Sequence, residues 1–334
     1  MPIQALRVMA MMVAAGATGG APAPTLAHGA HDAPRTHVAH EDHAPGRGAT
    51  TPTGAGASPV TGPATGDAVA LTAELSVAHE VAVRGGPAVG DPDATAVAVV
   101  TVQGGRITFA LRWKGFVPTS GHIHEGSPGR NGAVQVPLFD SAMPDGVHTA
   151  GGRAAVTDAE LAERLRTRPT DFSVDLQSAE FPGGAVHGRL EPVTPLDAHR
   201  TAPLSTVQAP ALRAISNGVQ EVPKNDRSKV GDPDGRAVTL LRPEDTAVDY
   251  SLAWTNIQSP SKGHVHKGAF GTNGEVVIDL FNRPVPDGIL AVSGRLEGLD
   301  AEAVRQLRNH PTQYYSNIHT AEFPDGAVRG QLFG

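Results

Sequence analysis

The chain has 334 residues, a formal net charge of −7 and 18% charged residues, a mildly acidic balance without the basic excess of a nucleic-acid binder. It contains no Cys, which excludes disulfides, thiolate metal ligands and a Cys nucleophile. The length suits two domains of ordinary size, and with aromatics at 4% their cores must rest on Val, Leu, Ile and Ala.

The opening residues point to export. Arg7 is the first charge, Val8 to Ala17 is apolar, and Thr25-Leu26-Ala27 fits a cleavage site between small residues. Residues 1–27 therefore read as a signal peptide, too short in its apolar part for a membrane span, and nothing further along reaches the ~18 apolar residues of a transmembrane helix. Residues 28–67 are rich in Ala, Gly, Pro, Thr and His and lack apolar periodicity, so a disordered segment is expected. His28, His31, His37, His40 and His43 fall within it, either as a loose metal-capturing tract or as a biased linker.

From Ala68 the pattern becomes short β-type runs: Ala70 to Leu75, Ala94 to Val102, and Arg106 to Trp113 with Ile107, Phe109, Leu111 and Trp113 on one face. Gly90-Asp91-Pro92-Asp93 and Gly104-Gly105 are turn signals. Then comes Gly121-His122-Ile123-His124-Glu125-Gly126. In a strand, residues i and i+2 share a face, so His122 and His124 stand side by side while Ile123 turns to the core. Two readings stand: ligands for a soft or borderline transition metal, or structural imidazoles that hold loop backbone.

Val134 to Phe139 predicts another strand. Thr157 to Thr167 predicts a helix, with Thr157 and Glu160 at capping-box spacing and Leu161 and Leu165 on one face. Phe172 to Gln177 and Ala185 to Leu190 predict two more strands around a Phe181-Pro182-Gly183-Gly184 turn.

The whole order then repeats. His122 to His264 and Glu180 to Glu322 share an offset of 142, while Gly90 to Gly231 and Trp113 to Trp254 share an offset of 141. The second half thus has its own pair, Gly263-His264-Val265-His266-Lys267-Gly268. Repeats of this size mean a duplicated domain, not a solenoid, joined by a linker near Pro192 to Pro203. Domain boundaries of 68–194 and 205–334 follow. Short strands, Gly/Pro turns and one helix per copy predict an all-β fold of two tandem antiparallel β-sandwiches or barrels.

Gly263-His264-Val265-His266-Lys267-Gly268, Asn273-Gly274, Asn317-Ile318-His319-Thr320 and Phe323-Pro324-x-Gly326-x-x-Arg329-Gly330-x-Leu332 together resemble the CHRD domain, first described in chordin and present in many bacterial proteins. The first copy resembles it through His122-Ile123-His124, Asn131-Gly132, Phe181-Pro182-x-Gly184 and Gly188-x-Leu190. The resemblance implies immunoglobulin-like sandwiches, related in shape to copper/zinc superoxide dismutases, but no settled activity. By analogy with those enzymes, which add a third copper ligand from a later strand, it implies a metal site of His264, His266 and His319, with copper or zinc as the ion. The first copy has Gln177 where the second has His319, so His122 and His124 are expected to form a degenerate or structural site. His187 is expected to point away from the pair, His148 to be another candidate contributor, on a loop, and Arg329 to be one candidate for guiding an anion.

Three functions follow in order of preference: a secreted non-enzymatic binding protein with a His-based metal site in domain 2 and an unknown extracellular partner or surface; a structural or adhesive module without metal; and a copper-dependent dismutase. No nucleophile elbow, phosphate-binding loop or dinucleotide fingerprint occurs in a suitable context.

Overall fold

The computed structural model describes residues 62–80, 85–126, 132–193 and 212–334. The expected signal peptide, the five tract histidines, Asn131 and most of the expected linker lie outside the described residues. The end of the segment expected to be disordered is instead tied down: Pro63 accepts from the Gly105 amide at 3.0 Å, and Gly66 accepts from the Gln103 side chain at 3.1 Å.

The first domain runs β1 (Val69–Ser76), β2 (Thr95–Gln103), β3 (Arg106–Lys114), β4 (Pro118–Glu125), β5 (Val134–Phe139), β6 (Val147–Ala155), α1 (Ala159–Thr167), β7 (Phe172–Ser178), β8 (Val186–Arg189) and the two-residue β9 (Glu191–Pro192). The second repeats it as β10 (Leu212–Asn217), β11 (Arg236–Glu244), β12 (Ala247–Thr255), β13 (Lys262–Lys267), β14 (Val276–Phe281), β15 (Ile289–Leu296), α2 (Ala301–Asn309), β16 (Tyr314–His319) and β17 (Val328–Phe333). No helix among the described residues is long and apolar enough to cross a membrane.

Each domain is two antiparallel layers. In the first they are β1-β2-β3-β6 and β5-β4-β7-β8, and in the second β10-β11-β12-β15 and β14-β13-β16-β17. Edge pairings of β1 with β8 and β9, and of β10 with β17, join the layers along one side. The chain crosses between layers from β3 to β4, from β5 to β6 and, through α1, from β6 to β7, so that β3 pairs with β6 and β4 with β7 as in a Greek-key sandwich.

The strands form where the sequence alternates. Ala96, Ala98, Val100 and Val102 on β2 face Ile107, Phe109, Leu111 and Trp113 on β3, all buried. Ile123 and Val265, between the paired histidines, are 0% exposed and fill the cores from the other layer. The helices close one end of each sandwich with Leu161 and Leu165, or Val304 and Leu307. Their caps correct the capping-box expectation. Asp158, not Thr157, caps α1, accepting from the Glu160 and Leu161 amides at 2.8 and 3.3 Å, and Asp300 caps α2 in the same way. A carboxylate reaches the exposed N–H groups of the first turn and suits the positive end of the helix dipole.

The two domains are joined edge to edge. β6 pairs antiparallel with β15, Gly152 opposite Ile289 and Val147 opposite Gly294. These are mutually equivalent positions at the offset of 142, so the junction repeats itself about a local two-fold axis, as an isologous dimer interface does. One sheet thus continues through both domains in the order β1-β2-β3-β6-β15-β12-β11-β10.

Candidate metal centres

The second layer of each domain holds the paired histidines on a central strand. In the second domain β13 lies between β14 and β16, so His264 and His266 project together from the same face, their ring centroids 5.6 Å apart. The strand β16 ends at His319 beside them. His264 Nδ1 and His319 Nε2 are 3.2 Å apart, and one donor nitrogen from each of the three rings lies within 4.8 Å of the others. Sequence reasoning placed His319 here only through the resemblance; the register of β16 on β13 is what brings it in.

Each ring is oriented by an oxygen on its far side. His266 Nδ1 donates to Gly274 O at 3.0 Å, and His319 Nδ1 donates to Pro324 O at 2.9 Å. His264 Nε2 lies 3.4 Å from Asp279 Oδ1. With Nδ1 protonated, His266 and His319 present the lone pair of Nε2 inwards, and Nε2 of His266 is buried without a partner. Burial, reinforced by the neighbouring His319 and His266, pushes the His264 pKa down to about 4, and burial lowers His266 and His319 as well. The rings are therefore neutral near pH 7, the state in which an imidazole can ligate. A three-imidazole set with matched outer acceptors fits copper or zinc chemically.

Behind the pair stands a stack. The Tyr315 ring lies 4.8 Å from His266 with a 6° tilt, and the Arg329 guanidinium sits 3.5 Å from the Tyr315 centroid. Arg329 is 1% exposed and donates to Asn273 Oδ1 and to the carbonyls of Ala269 and Thr272. It is thus a buried anchor for the loop after β13, which corrects its expected place among groups guiding an anion. Glu221 accepts from Asn317 Nδ2 at 3.2 Å, and its pKa rises to about 7 through burial, against the opposing pull of Asn317 and Arg329.

The first domain keeps the pair but changes its surroundings. His122 and His124 on β4 have ring centroids 5.8 Å apart, and His124 Nδ1 donates to Gly132 O at 3.0 Å. Gln177, at the position of His319, bonds Ser120 at 2.5 Å instead of joining the pair. The third donor comes from Asp175, directly opposite His122 on β7, with one donor atom each from His122, His124 and Asp175 within 4.8 Å of one another. Sequence reasoning missed it, although the i−2 spacing from Gln177 put Asp175 on the same face.

His187 corrects a second expectation. The pairing is Asp175 with His187 and Leu176 with Val186, not Ser178 with His187, so His187 faces the same side as the pair. A register differing by three residues reverses the face. The cause is the wide loop from Gln177 to Ala185, in which Gly184 adopts a φ of 133°. His148 lies on β6, not on a loop, among Asp249 and Arg112 at the domain junction and away from both pairs. Glu80 adds a carboxylate near Asp175; burial and then the Asp175 charge push its pKa up to about 8, and burial raises Asp175 to about 7.

Two copies of a Greek-key sandwich, each with paired histidines on the centre of one layer and a third His or Asp from the adjoining strand, define a tandem β-sandwich protein with one histidine-centred cluster, a candidate site, per domain. The chain belongs to the CHRD domain family, whose family model matches residues 71–190 and 212–332. Neither the curated proteins nor the solved structures compared with the chain give a match.

Proposed function

We propose that this tandem CHRD protein is exported and acts as a binding protein, not an enzyme, holding copper or zinc in its second domain through His264 Nδ1, His266 Nε2 and His319 Nε2. The observation that supports this best is the outer ring of oxygens: Asp279, Gly274 and Pro324 lie against the far nitrogens of the three imidazoles, so the inward nitrogens converge. Residues 28–67, with five closely spaced histidines, would capture metal loosely and raise its local concentration beside the folded site. The extracellular partner or surface is the second ligand of this reading.

The test is a copper(II) and zinc titration of the exported chain in which His28, His31, His37, His40 and His43 are replaced by Gln. N-terminal sequencing of protein recovered outside the cell should show a start at His28. Tight copper binding with a nitrogen-rich electron paramagnetic resonance spectrum is expected, reduced by one equivalent in His264→Ala/His266→Ala and in His319→Ala. Unchanged copper stoichiometry in those variants, with only a loss of stability, would leave the three histidines as structural residues.

A further inference from the structure

The duplication supplies an internal comparison, because each position around one pair has a counterpart around the other. In the second domain burial raises the Glu221 pKa, and an amide donor, Asn317, and the charge of Arg329 oppose that rise. Tyr315 fills the space between His266 and Arg329. The counterparts of Glu221, Asn317, Arg329 and Tyr315 are Glu80, Asp175, His187 and Ser173. Asn to Asp adds a negative charge, Arg to neutral His removes a positive one, and Tyr to Ser removes a ring. Counted as formal charges with every carboxylate ionised, Glu221 with Arg329 sums to zero, whereas Glu80 with Asp175 sums to −2, a charge that burial opposes by raising both pKa values and that a bound cation would offset.

The two carboxylates converge at Gly184, where a Cβ would lie 2.5 Å from Glu80 Oε2 and 2.8 Å from Asp175 Oδ2. Both oxygens of Glu80, Oδ1 of Asp175, Nδ1 of His122, Nε2 of His124 and Nδ1 of His187 are buried with no hydrogen-bond partner. Asp175 itself is 7% exposed. Buried carboxylate oxygens and imidazole nitrogens without partners, and without the cation their sister domain provides, are the surroundings a metal ion satisfies.

We propose that the first domain holds a divalent cation of borderline hardness through His122 Nδ1, His124 Nε2 and Asp175 Oδ1, with Glu80 as the balancing carboxylate. His124 is set for this by its Nδ1 bond to Gly132 O, which leaves Nε2 as the inward lone pair. Two imidazoles and a carboxylate favour zinc, iron(II) or manganese(II), where three imidazoles suit copper equally well. The two domains thus divide two metal chemistries between them, and the first site stands whether or not the second binds metal.

The test uses the full chain with the five tract histidines replaced by Gln. Parent and Asp175→Asn are titrated with zinc, and with manganese(II) followed by electron paramagnetic resonance. Asp175→Asn installs the residue that the second domain already has at 317, and thermal unfolding in EDTA checks its fold. The parent is expected to bind one more zinc equivalent than the variant. That difference reads the first domain alone, so an empty second domain does not disturb it. Asp175→Asn/His187→Arg rebuilds the second domain's charge balance; it is expected to lose the same equivalent and to resist heat in EDTA better than the parent. It serves as the comparison if Asp175→Asn unfolds. Equal zinc and manganese stoichiometry in the parent and the folded variant overturns the proposal.

Discussion

At the scale of single residues, the buried imidazoles and the buried carboxylates of these sites titrate in opposite senses. His264 is held neutral by burial and by its neighbouring imidazoles, with its pKa falling from 6.5 to about 4. A depressed folded-state value contributes stability that is complete above the unfolded pKa and is lost as pH falls through the folded one. The metal-free second domain should therefore weaken from about pH 6.5 down to about pH 4, by on the order of 2–3 kcal/mol. The measurement is urea unfolding at pH 7.5 and pH 4 in EDTA, compared between the parent and His264→Gln, which should lack most of that loss. The comparison is needed because Glu80, Asp175 and Glu221 have raised values and act the other way, adding stability as they protonate on acidification. The histidine pairs were legible from strand parity alone. Asp175 was not, because its meaning depends on which residue of a distant strand lies opposite it.

At the scale of elements, local chemistry decided the helices and tertiary pairing decided the site. α1 was visible as an amphipathic run and α2 as its repeat, and at α1 the cap, Asp158 in place of Thr157, differed from expectation. Asp300 accepts from the Ala303 amide at 2.7 Å, so Asp300→Ala should cost about 1 kcal/mol, read as a shift in the thermal midpoint with metal binding unaltered. The loop between β7 and β8 is the opposite case. Phe181-Pro182-Gly183-Gly184 signals a turn but not its width, and that width fixes which face of β8 carries His187. His187 stands by the first site because the loop holds Gln177 to Ala185 out of the pairing.

At the scale of the whole molecule, the domains are not beads on a linker. The β6–β15 junction needs two close backbone approaches: a Cβ on Gly294 would lie 2.3 Å from Gly146 O, and one on Gly152 would lie 2.5 Å from Gly288 O. Each glycine meets a carbonyl of the other domain, in keeping with the local two-fold relation. Gly294→Val should force the edges apart and lower stability by about 1–3 kcal/mol. Scanning calorimetry should show one transition in the parent and two in the variant, as the sandwiches unfold separately. A single transition with an unchanged midpoint would mean that the junction contributes little. The continuous sheet also covers one edge strand of each domain, removing two exposed templates for unwanted strand pairing.

The sequence by itself determined the duplication, the all-β class, the buried faces of the strands and the pairing of histidines on one surface. Those features are written in short-range periodicity, where side-chain direction follows from position along one strand. Only the tertiary structure decided that His319 meets His264, that Asp175 and His187 turn towards the first pair, that Arg329 is buried behind Tyr315, and that β6 and β15 join the domains. Each of these depends on register between strands far apart in the chain, and register is set by loop width, backbone approach and packing together.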